Sequence, residues 1–436
     1  MPNHRHRHVA PPHLRFRHRR VSRLRRRPHL PQLGGFGLVL AVVGPGLLAG
    51  LSDDDPAGIT TYSVLGATEG YRLLWVIAVS VAALIVYHEL GARIGVSTGR
   101  GVMALVRQRL GRRTALAGLA LLMLANFGTC AAEFAGVATA VAPLGIPPWI
   151  AAPVAAAAVG TLVLSGSFHR VEHVLLLLCA GFVTYVGACI LADPDWGAAA
   201  RGLVVPSLPG SREAWYLTVA AVGTTLAPWG LTFIQSTVVD KGLKREDLRA
   251  ERIDVITGAV LTGIIGVFVA VSCAATIHAQ GGTIEDAGDA AKALEPLAGN
   301  AASALFGAGL LGAGLLAAAV VPLASAYSVA ETVGADARLD ERWAEAPVFH
   351  AAYLAMLVPA ALLVAIPGLP LLPVLVGSQA LNAVLLLPLI VVMRRMGTDR
   401  ELMGDTVLGP VGRVLTGLAI ALIAACVVAL GLLSVT

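Results

Sequence analysis

Long apolar runs dominate the pattern of hydrophobic and polar positions, and charged or Pro/Gly-rich connections separate them. A helix needs about 20 apolar residues to cross a bilayer, and most of these runs reach that length. Eleven candidate spans are found, at residues 36–68, 73–96, 114–142, 149–165, 171–192, 213–240, 253–279, 300–334, 346–367, 370–393 and 412–434. The pattern predicts an all-α polytopic membrane protein with about eleven transmembrane helices.

Two of these runs are interrupted by proline. The first contains Asp55 followed by Pro56, and the sixth contains Ala227 followed by Pro228. Proline removes a backbone donor and disfavours helix in the preceding residue, so both helices should break there. Non-helical backbone at membrane depth is tolerated only where it is buried in protein or lines a polar cavity. The two breaks therefore mark a candidate binding site.

The spacing of the breaks predicts an inverted repeat. They lie in helices one and six, and two consecutive units of five helices must insert with opposite orientations. Paired broken helices in such repeats form transporter binding sites near the bilayer midplane. We expect a LeuT-type 5+5 fold within a transporter core at residues 34–395, with repeats at about 36–192 and 213–394. Residues 396–436 would add an extra C-terminal transmembrane helix.

Charge sets the expected topology. Residues 1–33 hold 10 Arg and 6 His but no acid, while the remaining residues hold 22 Lys and Arg against 27 Asp and Glu. The first segment has too little apolar content to fold alone, and we interpret it as a disordered basic cytoplasmic tail. With that tail inside, 18 of the other basic residues fall on the cytoplasmic side and 4 outside. This split predicts an inner-membrane protein with a cytoplasmic N-terminus and an external C-terminus.

Composition excludes other function classes. The chain is 56% apolar and 14% charged, with a mean hydropathy of +0.77, which is unlike a soluble enzyme or a nucleic-acid-binding domain. It contains no nucleophile elbow, phosphate loop or H-E-x-x-H motif, so we expect no enzymatic activity and no nucleic-acid partner. Its five cysteines are scattered without a C-x-x-C pair, which favours packing roles over a disulfide framework, and no resident cofactor is expected.

Asp55 is the strongest candidate for a functional side chain. An ionised carboxylate at the bilayer centre costs at least ~2.5–3.5 kcal/mol, so it should face a wet cavity or a cation. Aspartate before proline is also a favourable helix start, so capping is an alternative or second role. Asp53 and Asp54 are candidates either for the cavity lining or for a vestibule.

Neutral oxygen atoms supply further candidates. The break at Ala227 and Trp229 frees backbone carbonyls, which suit a hard cation. Gln379 adds an amide oxygen, although an interhelical hydrogen bond explains it equally well. We expect Asn382 to be structural and Gln235 to be a weaker cavity candidate.

Two further titratable groups lie in the apolar runs. Glu133 has no basic neighbour in its own run, so it either titrates in a proton path or is held protonated by its surroundings. His88, beside Glu89, lies near a predicted span end, where a packing or interface role is the usual explanation.

The two interrupted motifs resemble those of the Nramp family of divalent-metal transporters. That family has a D-P-G-N signature in helix 1 and an M-P-H signature in helix 6, where this chain has Asp55-Pro56-Ala57-Gly58 and Ala227-Pro228-Trp229. The asparagine, the thioether and the histidine are thus absent, and Cys130 replaces an acid three residues before Glu133. The A-P-W stretch, with Gln235-Ser236 and Lys241-Gly242 after it, is similar to the Nramp-related magnesium transporter branch.

The resemblance implies a divalent-metal transporter whose ligand positions are Asp55, Gly58, Ala227 and Gln379. Carboxylate, carbonyl, amide and water oxygens suit Mg²⁺ and Mn²⁺, and Mg²⁺ usually keeps several waters. Small residues at 58 and 227 lead us to expect a roomy site for a partly hydrated ion, with Mg²⁺ first, Mn²⁺ second and no proton coupling. The alternatives are a proton-coupled Mn²⁺/Fe²⁺ transporter, or a LeuT-type transporter of an amino acid or bicarbonate-like anion.

Overall fold

The structure is a computed structural model that describes residues 50, 52–165, 184–207, 210–285, 287–294, 299, 302–335 and 343–435. The predicted basic tail, the start of the first run and most of the fifth run lie outside the described residues. The described part is helical throughout, in agreement with the predicted all-α class.

Fifteen α-helices are present in the described residues. They are α1 (Pro56–Glu69), α2 (Leu74–Thr98), α3 (Val102–Leu110), α4 (Arg112–Val141), α5 (Pro148–Leu164), α6 (Thr184–Leu191), α7 (Trp196–Val204), α8 (Arg212–Thr225), α9 (Pro228–Asp240), α10 (Leu248–Thr276), α11 (Ala302–Val333), α12 (Pro347–Val364), α13 (Leu371–Thr398), α14 (Arg400–Met403) and α15 (Pro410–Val435).

The transmembrane helices correspond to the apolar runs. Within the described residues, eight segments are long and apolar enough to cross a membrane, with α8 and α9 counted together, and α5 is a shorter apolar helix. The first and fifth runs, which the described ranges cover only in part, account for the two remaining predicted spans. The chain is a multi-pass membrane protein.

Both predicted breaks are present. The backbone is helical at Ser52 and Asp53, leaves the helix at Asp54 and Asp55, and resumes at Pro56. In the sixth run, α8 ends at Thr225 and α9 begins at Pro228. In both cases proline occupies the first helical position, where its missing N–H costs nothing because that donor has no intrahelical partner.

Glycines let the broken helices pack closely on their neighbours. A methyl group on Gly66 of α1 would lie 2.1 Å from the Ala270 carbonyl oxygen of α10, and one on Gly223 of α8 would lie 1.8 Å from the Gln379 carbonyl oxygen of α13. Neither position can accept a side chain without backbone movement. Such close backbone approach is the usual way in which membrane helices associate, because lipid offers no hydrophobic drive between them.

The sixth span lies at the centre of the bundle and the last span at its edge. The apolar window of α8 and α9 is entirely buried, whereas only 22% of the corresponding window in α15 is buried. The break that the sequence places in the sixth run is therefore enclosed by protein, as non-helical backbone in a membrane requires.

Two short helices were not expected from the hydrophobic pattern. Helix α3 follows α2 directly and buries Val102, Met103, Leu105 and Val106, while α7 follows the fifth run. Asp195 caps α7 by accepting a 2.9 Å hydrogen bond from the Ala198 N–H. Both helices are shorter than a membrane span, so they belong to the connections.

Candidate functional site

The first break is organised by Asp55. Its backbone is extended (φ −73°, ψ 166°), and its Oδ1 accepts a 2.5 Å hydrogen bond from the Gly58 N–H, so it caps α1. The side chain is only 3% exposed. Asp55 therefore has the capping role that its position before proline predicts, and its carboxyl group also contacts Glu133.

Pro56 is seated against α4 and α11 by two glycines. A methyl group on Gly136 would lie 2.1 Å from Pro56 Cβ, and one on Gly314 would lie 3.2 Å from Pro56 Cγ and from the Glu133 carbonyl oxygen. This packing brings Glu133 next to Asp55, where the two carboxyl groups interact directly. Neither Glu133 oxygen forms a hydrogen bond of ordinary geometry with a described residue.

Four acids are thus buried around the first break. Asp53, Asp54 and Glu133 are each at most 2% exposed, and apart from the contact between Glu133 and Asp55 their carboxylate oxygens have no hydrogen-bond partner among the described residues. The ion pairs of Glu89, Asp399 and Glu401 lie elsewhere in the described part of the chain. Uncompensated carboxylates in an apolar interior are costly, and a bound cation is the simplest compensation.

The sixth break supplies neutral oxygens. Ala227 is extended (φ −68°, ψ 134°) and has no side chain to cap α9. Because Pro228 has no N–H, the Thr224 carbonyl lacks its usual donor four residues on, and Pro56 deprives the Ser52 carbonyl in the same way. The hydroxyls of Ser52 and Thr224 are also buried without a hydrogen-bond partner in the described residues.

The two breaks meet at Gly58. A methyl group there would lie 2.9 Å from the Asp53 carbonyl oxygen and 3.1 Å from both Asp55 Oδ1 and Thr224 Oγ1. The room that we expected from the missing asparagine is therefore absent at this position, because the Asp53 backbone and α8 occupy it. Gly58 allows the two broken helices to touch.

A tyrosine joins the two broken helices beside this contact. The Thr225 hydroxyl donates to the Ala221 carbonyl, so the Tyr62 hydroxyl donates to Thr225 Oγ1 across 2.8 Å. Trp229, in the first turn of α9, is fully buried and packs edge-on against Phe233, with its Nε1 unpartnered within the described residues. Its indole occupies the place where the resemblance leads one to look for histidine.

Gln379 and Asn382 form a polar network between α13 and α4. Gln379 Nε2 donates to Ser378 Oγ, and its Oε1 accepts from Asn382 Nδ2 across 3.1 Å. Asn382 Nδ2 also lies 2.9 Å from Thr129 Oγ1. The backbone of Gln379 contacts Gly223, two residues before α8 ends at Thr225. Its amide oxygen is thus engaged in an interhelical network next to the break.

Gln235 lies in the middle of α9, about two turns after the break. Its Nε2 donates to the Arg100 carbonyl oxygen across 2.9 Å, which connects α9 to the loop after α2. The neighbouring Ser236 donates to Glu331 Oε1 (2.6 Å), and Glu331 Oε2 accepts from the Met103 N–H. We call these contacts, formed by Arg100, Met103, Gln235, Ser236 and Glu331, the α9 clasp. The structure does not bring Gln235 together with Asp55.

His88 is the residue whose position sequence reasoning misjudged. Helix α2 continues to Thr98, so His88 lies inside the span, with 1% exposure and both ring nitrogens unpartnered in the described residues. Its Nε2 and the Asp53 carboxylate both lie close to Gly230. Glu89, the next residue, points away and pairs with Arg93 and Arg252. The sequence around His88 gives little indication that His88 is buried while Glu89 forms ion pairs. Only the packing of α2 on α9 shows it.

The acids do not form a conventional metal cage. Within the described ranges, no three His, Cys, Asp or Glu side chains converge in a way that could hold a metal ion. An ion at the breaks would therefore need carbonyl, hydroxyl or water oxygens besides Asp55, which is a ligand set typical of hard cations.

The family of the chain follows from its match to known proteins. Residues 46–433, which include both breaks and every helix from α1 to α14, match the family described as natural resistance-associated macrophage protein-like, or Nramp. The chain belongs to the Nramp family. The motifs around Asp55 and Ala227 are thus this chain's version of the Nramp helix 1 and helix 6 signatures.

Curated Nramp relatives are moderately similar. The divalent metal cation transporter MntH of Burkholderia ambifaria is 31% identical over 283 residues, which are 62% of this chain and 64% of the relative. The protein of the same name from Deinococcus radiodurans is 33% identical over 292 residues, or 63% and 65%. The chain thus spans slightly less than two thirds of the length of these relatives.

Solved structures show the same fold. A manganese transporter of Eremococcus coleocola superposes with a TM-score of 0.74 at 19% identity, covering 92% of this chain and 89% of that one. Mhp1, a nucleobase-cation-symport-1 family transporter, superposes with a TM-score of 0.54 at 16% identity, covering 90% and 93%. These similarities bear out the expected LeuT-type architecture with two broken helices.

Proposed function

We propose that this protein is a transporter that imports divalent metal cations, with Mg²⁺ as the preferred ion and Mn²⁺ as the second. The observation that carries the proposal is the group of four buried acids at the first break, which no basic side chain of the described residues neutralises. A divalent cation is the ligand that such a site needs. The names of the MntH relatives support the same substrate class.

Asp55 is the principal ligand in this proposal. Its Oδ1 is held by the Gly58 N–H, and we expect the ion to bind at Oδ2 in place of the contact with Glu133. Backbone oxygens around Ala227 complete the set, together with the Ser52 and Thr224 carbonyls that the two prolines leave without donors. Gln379 contributes through its network with Asn382, or by exchanging that bond for the ion.

The donor set favours a hard, partly hydrated ion. Ala227 offers no sulfur, and thioether ligands select softer metals. Mg²⁺ binds through one or two carboxylates and keeps several waters, so it does not require a cage of protein ligands. The unpartnered hydroxyls of Ser52 and Thr224 are suited to accept hydrogen bonds from those waters.

Orientation follows from charge. The 18 to 4 distribution of basic residues supports a cytoplasmic N-terminus, an external C-terminus and a location in the cell inner membrane. In this orientation α9 runs toward the cytoplasm, and the α9 clasp lies on the cytoplasmic side of the acids.

Proton coupling is the specific rival. Glu133 lies beside Asp55 with both oxygens unpartnered in the described residues, which is an arrangement that could exchange protons with the site. We favour uncoupled transport because no histidine occupies position 229 and Cys130 replaces an acid. A divalent cation is also driven inward by the membrane potential without help from protons.

The test is flux into proteoliposomes that contain the full-length protein, with Mg²⁺, Mn²⁺ and internal pH followed together. Mg²⁺ and Mn²⁺ uptake without acidification is expected for the wild type. Metal-driven acidification that Glu133→Gln abolishes would establish the coupled rival instead.

Asp55→Asn is the matching variant. Asparagine also caps helices well, so α1 should remain folded while the charge is lost. Asp195→Asn is the control, because Asp195 also caps its helix, α7, by accepting from the N–H three residues on, outside the candidate membrane spans. Loss of flux in the first variant alone supports the proposal, whereas equal flux in both would contradict it.

A further inference from the structure

Gly230 of α9 faces α2 and, having no side chain, leaves a small space between the two helices. A methyl group on Gly230 would lie 3.4 Å from His88 Nε2 and 3.6 Å from Asp53 Oδ1. An imidazole edge and a carboxylate therefore approach the same small space from two different helices, and Gly230 is the residue that leaves it open.

Both groups lack other partners. His88 is 1% exposed and Asp53 is 2% exposed, and neither ring nitrogen nor either carboxylate oxygen has a hydrogen-bond partner within the described residues. A buried polar group without a partner costs roughly 1–3 kcal/mol, and more if it is charged. Two such groups that face one space constitute an unexplained cost unless a ligand occupies it.

The chemistry of the pair differs from that of the Asp55 site. Imidazole nitrogen suits iron, nickel, copper and zinc, carboxylate oxygen suits Mg²⁺ and Mn²⁺, and their combination favours borderline divalent transition metals. We propose that Asp53 and His88 form a second cation position across Gly230, which takes divalent transition-metal ions with water completing the coordination.

The proposed Asp53–His88 position lies further along α9 than the break at Ala227. Helices α2 and α9 run side by side, with His88 beside Gly230, Gly91 beside Leu231 and Gly95 beside Gln235. The pair thus lies between the breaks and the α9 clasp. In the orientation proposed above, an ion that leaves Asp55 toward the cytoplasm meets this pair next, so this inference rests on the proposed function for its order of events.

The test uses purified full-length protein with Mn²⁺ as the probe, since coordinated imidazole nitrogen leaves a nuclear modulation in the electron-spin echo of Mn²⁺. Nitrogen modulation is expected in the wild type and is lost in His88→Gln. The Co²⁺ concentration that halves Mg²⁺ uptake should rise at least about tenfold in the same variant.

Gly230→Ala tests the geometry without removing either ligand. The added methyl makes only ordinary contacts with its neighbours, so the helix should fold, but it fills the space between His88 and Asp53. Gly91→Ala is the control, because its methyl enters the same α2–α9 interface at 3.4 Å from the Leu231 carbonyl oxygen and Met393 Cε. Gly230→Ala should lose the nitrogen modulation and Gly91→Ala should keep it.

The outcomes separate this inference from the proposed function. Nitrogen modulation that persists in His88→Gln, or that is absent in wild type with Mn²⁺ bound, overturns the second position even if Asp55→Asn abolishes flux. Absence of metal flux in the wild type overturns the proposed function, while a His88-dependent nitrogen signal would still support the cation position.

Discussion

The two helix breaks share one backbone plan and differ in their chemistry. In each, an extended residue precedes a proline that starts the second half-helix. In the first break that residue is Asp55, which caps its helix and carries charge, while in the sixth it is Ala227, which does neither. The comparison teaches that proline and its predecessor set where a membrane helix opens, and that the side chain beside proline sets the charge of the opening.

The largest expected effect comes from shortening the side chain that precedes proline in each of the two breaks. Asp55→Ala should lower Mg²⁺ flux roughly 100-fold, because it removes the charged ligand, and a loss of about 3 kcal/mol in ion binding corresponds to about that factor. Ala227→Gly should change flux by less than about threefold, since glycine also serves at a helix start. Initial uptake rates in proteoliposomes measure both. Similar losses in the two variants would mean that the breaks contribute equally.

The next effect concerns how the first break is held in place. Gly136→Ala places a methyl 2.1 Å from Pro56 Cβ, and overpacking of this kind costs about 1–3 kcal/mol, so the thermal unfolding midpoint in detergent should fall. Gly128→Ala, on the same helix, meets its nearest neighbour at 3.6 Å and should leave the midpoint unchanged. An unchanged midpoint in Gly136→Ala would show that Pro56 is free to move.

A smaller effect is expected from placing a metal-ligating side chain at the break in the sixth run. Ala227→Met introduces a soft thioether into a buried position, so the ratio of Mg²⁺ to Cd²⁺ uptake should fall about tenfold. Competition between the two ions in one liposome preparation measures the ratio. Unaltered Mg²⁺ preference would place Ala227 outside the ion's coordination sphere.

The smallest effect is expected at the hydrogen bond that joins the two broken helices. Tyr62→Phe removes the donor to Thr225 and should cost about 1 kcal/mol of stability. Tyr87→Phe removes a comparable bond to the Thr416 carbonyl of α15, the span at the edge of the bundle. Equal loss of stability but reduced flux only in Tyr62→Phe would show that this bond positions the breaks.

Much of the fold was predictable because its causes are local in sequence. Pro56 and Pro228 forbid a continuous helix wherever they occur, and the apolar runs measure span length directly. Helices α3 and α7 were missed because short connecting helices depend on packing and caps, such as Asp195, more than on a long apolar run.

The site was less predictable because its contacts join distant segments. Asp55 could be singled out from its charge and its proline, but nothing in the chain near His88 indicates that it faces Asp53. The prediction that Gly58 leaves open space was wrong for the same reason, because Thr224 of α8 lies next to it. Whether a small residue creates space or permits contact is decided by its neighbours in three dimensions.

The α9 clasp restricts how the second half of the sixth span can move. Gln235 is tied to α2 through Arg100, and the adjacent Ser236 is tied to α11 through Glu331. Movement of α9 away from α2 would break the hydrogen bond of Gln235 and could preserve that of Ser236. Movement of α9 away from α11 would do the reverse. Two adjacent residues thus anchor this part of α9 to two different neighbours, so a displacement that breaks one anchor can leave the other intact.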